Sequence, residues 1–183
     1  LSAFFTVLTV VGAMLTIPTP LIPITLQSFF VLMSGLLLGP KYGPLSQALY
    51  VAMGLAGLPV FAGGTGGIQR VLSPSFGFLL AYPFVSWTAG FLSFGRRGQP
   101  KTAARYSLIC LAATAVLYGI ALPCFHLNMQ YVMKMPTSFI KTLQIAFLPF
   151  VIGDAVKAVA VGYLAYRVVP ILRGSGLWKP RLH

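Results

Sequence analysis

Thr142-Leu-Gln-Ile-Ala-Phe-Leu-Pro-Phe-Val-Ile-Gly-Asp154-Ala-Val-Lys157-Ala-Val-Ala-Val-Gly-Tyr-Leu-Ala-Tyr166 carries two charges, at Asp154 and Lys157, in a stretch long enough to cross a bilayer. A spanning helix needs about 20 predominantly apolar residues. Residues 1–40, 42–69, 71–95 and 106–133 hold no Asp, Glu, Lys or Arg at all. Of the 183 residues only 8% are charged and 57% are hydrophobic, with a mean hydropathy of +0.88. An ordinary soluble domain carries about 25% charge. A chain of this size leaves too much surface exposed to hide so many apolar side chains from water. Lipid has to cover them, so the sequence reads as an all-α integral membrane protein.

Six transmembrane helices are expected, over about 1–17, 24–39, 42–58, 74–95, 103–122 and 142–168, in a single membrane domain covering 1–183. Pro18, Pro20 and Pro23 divide the first apolar interval, because proline removes a backbone donor and breaks a helix. The charges set the orientation. Thirteen Lys and Arg stand against one acid, for a net charge of +12. With the N-terminus in the cytoplasm, nine of the 13 cations fall on that side: Lys41, Arg96, Arg97, Lys101, Arg105, Arg167, Arg173, Lys179 and Arg181. Arg70, Lys134 and Lys141 fall on the other side, and Lys157 lies within the last helix. The positive-inside rule then places both termini in the cytoplasm. The excess charge reads as topology rather than as a nucleic-acid face, and the tail after Arg167 suits acidic lipid head groups or a cytoplasmic partner.

Several activities lack their parts. No Gly-Lys-Ser/Thr follows a glycine-rich stretch, so the chain has no Walker A loop. Cys110 and Cys124 are not at metal-ligand spacing, and His126 and His183 are isolated. With no Glu and a single Asp, a carboxylate dyad or a Ser-His-Asp triad has almost no material to work with. No catalytic residue, metal or cofactor is expected.

Three features could hold a ligand. The first is Phe61-Ala62-Gly63-Gly64-Thr65-Gly66-Gly67, whose glycines free the backbone for positive φ and close approach. It reads either as a ligand cradle or as a flexible connector. The second is the lone acid, Asp154, with Lys157 at i, i+3 on the same helix face. A charge within a spanning helix costs roughly 2.5–3.5 kcal/mol on insertion scales. The two charges therefore either pair to brace the bundle or meet a polar solute in a cavity. The third is Gln27, an amide in an apolar helix, which bonds a neighbouring helix or points into a cavity. Gln69, Arg70 and Tyr82 lie within reach of these features, so helices 2, 4 and 6 and the glycine loop are expected to converge on one pocket.

Five motifs occur in order: Thr25-Leu26-Gln27; Gly39-Pro40-Lys41-Tyr42-Gly43; Gly57-Leu58-Pro59-Val60-Phe61 running on to Gly67; Pro74-Ser75-Phe76-Gly77-Phe78; and Pro149-x-x-x-Gly153-Asp154-x-x-Lys157. Together they resemble BioY, the biotin-binding S component of energy-coupling-factor (ECF) transporters. The resemblance implies a six-helix protein of the prokaryotic cytoplasmic membrane that takes biotin from outside. It also implies partnership with a transmembrane coupling subunit and two ATPase subunits, in keeping with the missing Walker A loop. Under it, Asp154 and Lys157 hydrogen-bond the polar end of biotin, while Gln27 and the Gly63–Gly67 backbone complete the pocket. An S component for another vitamin, or a ligand-free membrane protein braced by Asp154–Lys157, is the alternative. The chain departs from the family pattern at three places. Ala3 is followed at the small-xxx-small spacing by Val7, Phe78 stands where Tyr is often found, and Arg70 has no counterpart.

Overall fold

The computed structural model describes residues 1–19, 21–94, 100–135 and 137–174. The expected cytoplasmic loop at Arg96 and Arg97 and the tail with Lys179 and Arg181 lie outside the described residues. Helix α1 (Ser2–Met14) leads into a short antiparallel hairpin of β1 (Thr16–Ile17) and β2 (Ile24–Thr25). Helix α2 (Gln27–Leu55), a 3-10 turn (Ile68–Leu72), α3 (Phe76–Phe94) and α4 (Ala103–Leu127) follow. A π-helical turn (Asn128–Val132) extends α4, and α5 (Phe139–Ala146) and α6 (Leu148–Gly174) close the fold.

The elements follow the chain's punctuation. Pro18 and Pro23 flank the turn of the hairpin, where no helix can continue. Within α2 the backbone breaks at Gly39, with φ 78° and ψ −175°. Glycine reaches that region freely, and Pro40 disfavours helical geometry in the residue before it. The halves 27–38 and 40–55 then fold back on one another, with Gln47 Nε2 donating to Ser34 Oγ at 3.1 Å. The break is thus a single residue, and the expected connector after Gly39 is itself helical from Pro40 onward.

Two other expectations are corrected. The helix expected over 142–168 is divided at Phe147 (φ −120°, ψ −58°) into α5 and α6. Pro149 lacks a backbone donor, so the hydrogen-bond ladder is interrupted just before it. The helix expected to end near 122 continues past Pro123 to Leu127.

The core lies between α2, α3, α4 and α6. A Cβ on Gly35 would lie 2.2 Å from the Ser86 carbonyl oxygen, so glycine there sets the close approach of α2 to α3. Leu32, Leu36, Tyr50, Val85, Ala89 and Val161 are fully buried around that crossing. The outward faces are apolar as well. Phe84, Trp87 and Phe91 on α3 and Ile152, Val156 and Val159 on α6 are exposed at helical spacing. Among the described residues, three helices are long and apolar enough to cross a membrane: Phe76–Phe94, Ala103–Val132 and Leu148–Leu172. Outward apolar stripes on such helices are what a lipid solvent selects, and the chain is a multi-pass membrane protein.

Candidate ligand-binding site

Helix α6 presents Asp154 and Lys157 on one face, and their charged atoms meet at 2.5 Å. The first turn of α2 supplies Ser28, whose hydroxyl donates to Asp154 Oδ1 at 3.2 Å and accepts from Lys157 Nζ at 2.8 Å. Lys157 also donates to the carbonyl oxygen of Thr25 in β2 at 3.1 Å. From α4, the Tyr118 hydroxyl donates to Asp154 Oδ2 at 2.5 Å. Three elements thus satisfy a charge pair that α6 alone would leave partly unsolvated. Asp154 is buried, at 8% exposure.

A second polar chain runs beside it. Gln27 Oε1 accepts from Thr25 Oγ1 at 2.9 Å, and Gln27 Nε2 donates to the Tyr50 hydroxyl at 2.5 Å. Tyr50 in turn donates to the Val60 carbonyl at 3.1 Å. This chain ties the loop after α2 to both halves of that helix. Phe61 packs its ring edge-on against Tyr50 and lies so close to α2 that a Cβ on Gly54 would come within 2.1 Å of it.

Between these groups lies a cavity of about 190 Å³. Its apolar wall includes Ile22, Phe61, Phe78, Leu79, Leu117 and Phe150. Its polar wall includes Thr25, Gln27, Ser28, Arg70, Tyr82, Asp154 and Lys157. Five residues expected from the sequence, Gln27, Arg70, Tyr82, Asp154 and Lys157, therefore reach one cavity. Gly63, Gly64, Thr65, Gly66 and Gly67 do not line it. The amides of Gly64 and Thr65 donate to the Phe61 carbonyl, and that of Gly67 donates to the Gly54 carbonyl. Positive φ at Gly63 (72°) and Gly64 (68°) reverses the chain so that Phe61 and Ala62, just before them, form the wall. The glycines shape the loop, with the Gly64 amide bonded within it and the Gly67 amide bonded to α2. Gln69 bonds the Gly66 carbonyl and stays off the wall.

Sequence reasoning passed over Ser28 and Tyr118. Ser28 sits beside Gln27 and could have been noticed as a second polar residue in the first turn of an apolar helix. Tyr118 carries no such signal, being one tyrosine among many in apolar helices.

An apolar cage with a compact, internally paired polar cluster on one wall is suited to a small solute that is itself part ring and part hydrogen-bonding group. Fold and site together define a multi-pass membrane protein with a solute-binding cavity. Residues 1–174 match the family model described as BioY family. The Biotin transporter BioY of Thermotoga maritima is 37% identical over 167 residues, covering 91% of this chain and 92% of that protein. The Probable biotin transporter BioY of Lysinibacillus sphaericus is 34% identical over 173 residues, covering 94% and 87%. Among solved structures, the S-component for biotin from an ECF-type ABC transporter superposes with a TM-score of 0.69 at 27% identity, covering 92% of this chain and 88% of that one. The chain belongs to the BioY family.

Proposed function

We propose that this chain is the biotin-binding S component of an ECF transporter, and a transport component rather than an enzyme. The observation that carries the reading is the polar cluster at Asp154 and Lys157, placed on the wall of an apolar cavity in a chain with no other acid. Biotin combines a bicyclic apolar body with a ureido group that offers N–H donors and a carbonyl acceptor. A carboxylate has about four lone-pair sites. Lys157, Ser28 and Tyr118 take three of those on Asp154, which leaves room for one ureido N–H. Gln27 and Tyr82 supply further polar contacts, Phe61 and Phe78 enclose the ring, and the glycine loop over 63–67 holds Phe61 in place.

The remaining architecture belongs to the same reading. Residues 1–183 form one membrane domain with six spans, counting α1, the two halves of α2, α3, α4 and α6. Both termini face the cytoplasm, since the cation bias favours that orientation. The chain sits in the cytoplasmic membrane of a prokaryote and docks onto a transmembrane coupling subunit served by two ATPase subunits, with lipid around its outward apolar faces.

Equilibrium binding of labelled biotin to the detergent-purified protein tests this. Dissociation constants at or below about nanomolar, near −12 kcal/mol, are expected. No binding at micromolar biotin would overturn the assignment.

A further inference from the structure

The charges on the cavity wall do not balance. Lys157 has three N–H donors, and Asp154, Ser28 and the Thr25 carbonyl take all of them. Asp154 is the only acidic side chain in the sequence, and Lys157 already neutralises it. Arg70, brought to the same wall by the 3-10 turn, is half-buried and makes no hydrogen bond or ion pair with its side chain among the described residues. No other acid exists in the chain to pair with it. One uncompensated positive charge, with five N–H donors in a fixed fork, therefore faces the cavity.

We infer that Arg70 is the residue that reads the ligand's carboxylate, so that the cavity selects a solute with a free acid and rejects its neutral-tail derivatives. This rests on the biotin reading above and divides the ligand between two clusters. The ureido end goes to Asp154, whose Oδ2 carries a single protein partner, Tyr118. The carboxylate goes to Arg70, because Lys157 could receive it only by giving up a bond it already makes. A guanidinium–carboxylate contact is charge-assisted and frequently bidentate. Its loss leaves the arginine unpaired again, so discrimination against an amide comes from the protein side as much as from the ligand.

The test compares biotin with biotinamide, which keeps the ring and replaces the carboxylate by a neutral amide, on the detergent-purified full chain. The wild type is expected to bind biotin about tenfold to a hundredfold more tightly than biotinamide, the range of a hydrogen bond to a charged group. In Arg70→Gln, the preference for biotin over the amide should collapse, with biotin affinity falling to near that of the amide, and retained binding of both ligands reports that the variant is folded. Arg70→Lys should recover part of the difference, since it restores the charge without the fork. Equal binding of the two ligands by the wild type would overturn the inference, and so would an unchanged preference in Arg70→Gln. Failure of the wild type to bind either ligand would instead remove the biotin reading on which it stands.

Discussion

Tyr118 reaches Asp154 from another helix, donating its hydroxyl to Oδ2 at 2.5 Å while standing outside the set of residues that line the cavity. It holds the far side of a carboxylate whose other oxygen is shared by Lys157 and Ser28. Tyr118 is thus a positioning residue for the acid.

Removing that hydroxyl separates positioning from packing. Tyr118→Phe keeps the ring that packs edge-on against Phe78 and Phe147. Biotin affinity should fall by about tenfold, the effect of losing one hydrogen bond to a charged group, while the thermal unfolding midpoint moves little. A large loss of stability with unchanged affinity would mean that the bond serves only to join α4 to α6.

Neutralising the acid should be more damaging. Asp154→Asn leaves Lys157 as an uncompensated charge within a spanning helix, and breaking a buried pair from one side costs about 3–5 kcal/mol. Biotin binding should drop by at least about a hundredfold, with a lowered unfolding midpoint. Adding Lys157→Met should return the midpoint toward wild type without returning binding. If the double variant bound biotin normally, the pair would be a brace and nothing more.

The wall formed by Phe61 depends on Gly54. A methyl group there would lie 2.1 Å from the ring, so Gly54→Ala must push Phe61 toward the cavity or out of it. Overpacking of this kind costs about 1–3 kcal/mol, visible as a lower unfolding midpoint together with weaker biotin binding. Phe61→Leu in the same background should recover much of the stability by relieving the contact. Wild-type affinity in Gly54→Ala alone would show that Phe61 is not a ligand-contacting wall.

Orientation can be read chemically. In a chain whose Cys110 and Cys124 are replaced by alanine, Arg97→Cys should react with a membrane-impermeant thiol reagent only from the cytoplasmic face. Reaction from outside would invert the proposed topology.

The sequence revealed the charge pair more fully than the rest of the site. Asp154 and Lys157 stand out because one is the only acid and their spacing puts them on one face, both facts of a single helix. Ser28 and Tyr118 contact the same carboxylate from 126 and 36 residues away, and no local pattern connects such positions. The glycine loop shows a different limit. Composition suggests free backbone amides, but whether an N–H points at a ligand or at its own turn depends on where the chain goes next. Proline and glycine marked interruptions near Pro18 and at Gly39, but the helix expected to run to about 17 ends at Met14, and nothing signalled that the first interruption is a strand pair or that the second is a fold-back of one residue. The division at Phe147 was missed because the apolar pattern runs straight through it, with only Pro149 as a hint.

The bonds made by Lys157 and Asp154 also tie three separate parts of the bundle, β2, α2 and α4, to one turn of α6. Since these partners are all supplied by the protein, the recognition surface needs no solute to assemble it, and capture involves little reorganisation. Tight binding to so prepared a surface is expressed mainly as slow escape.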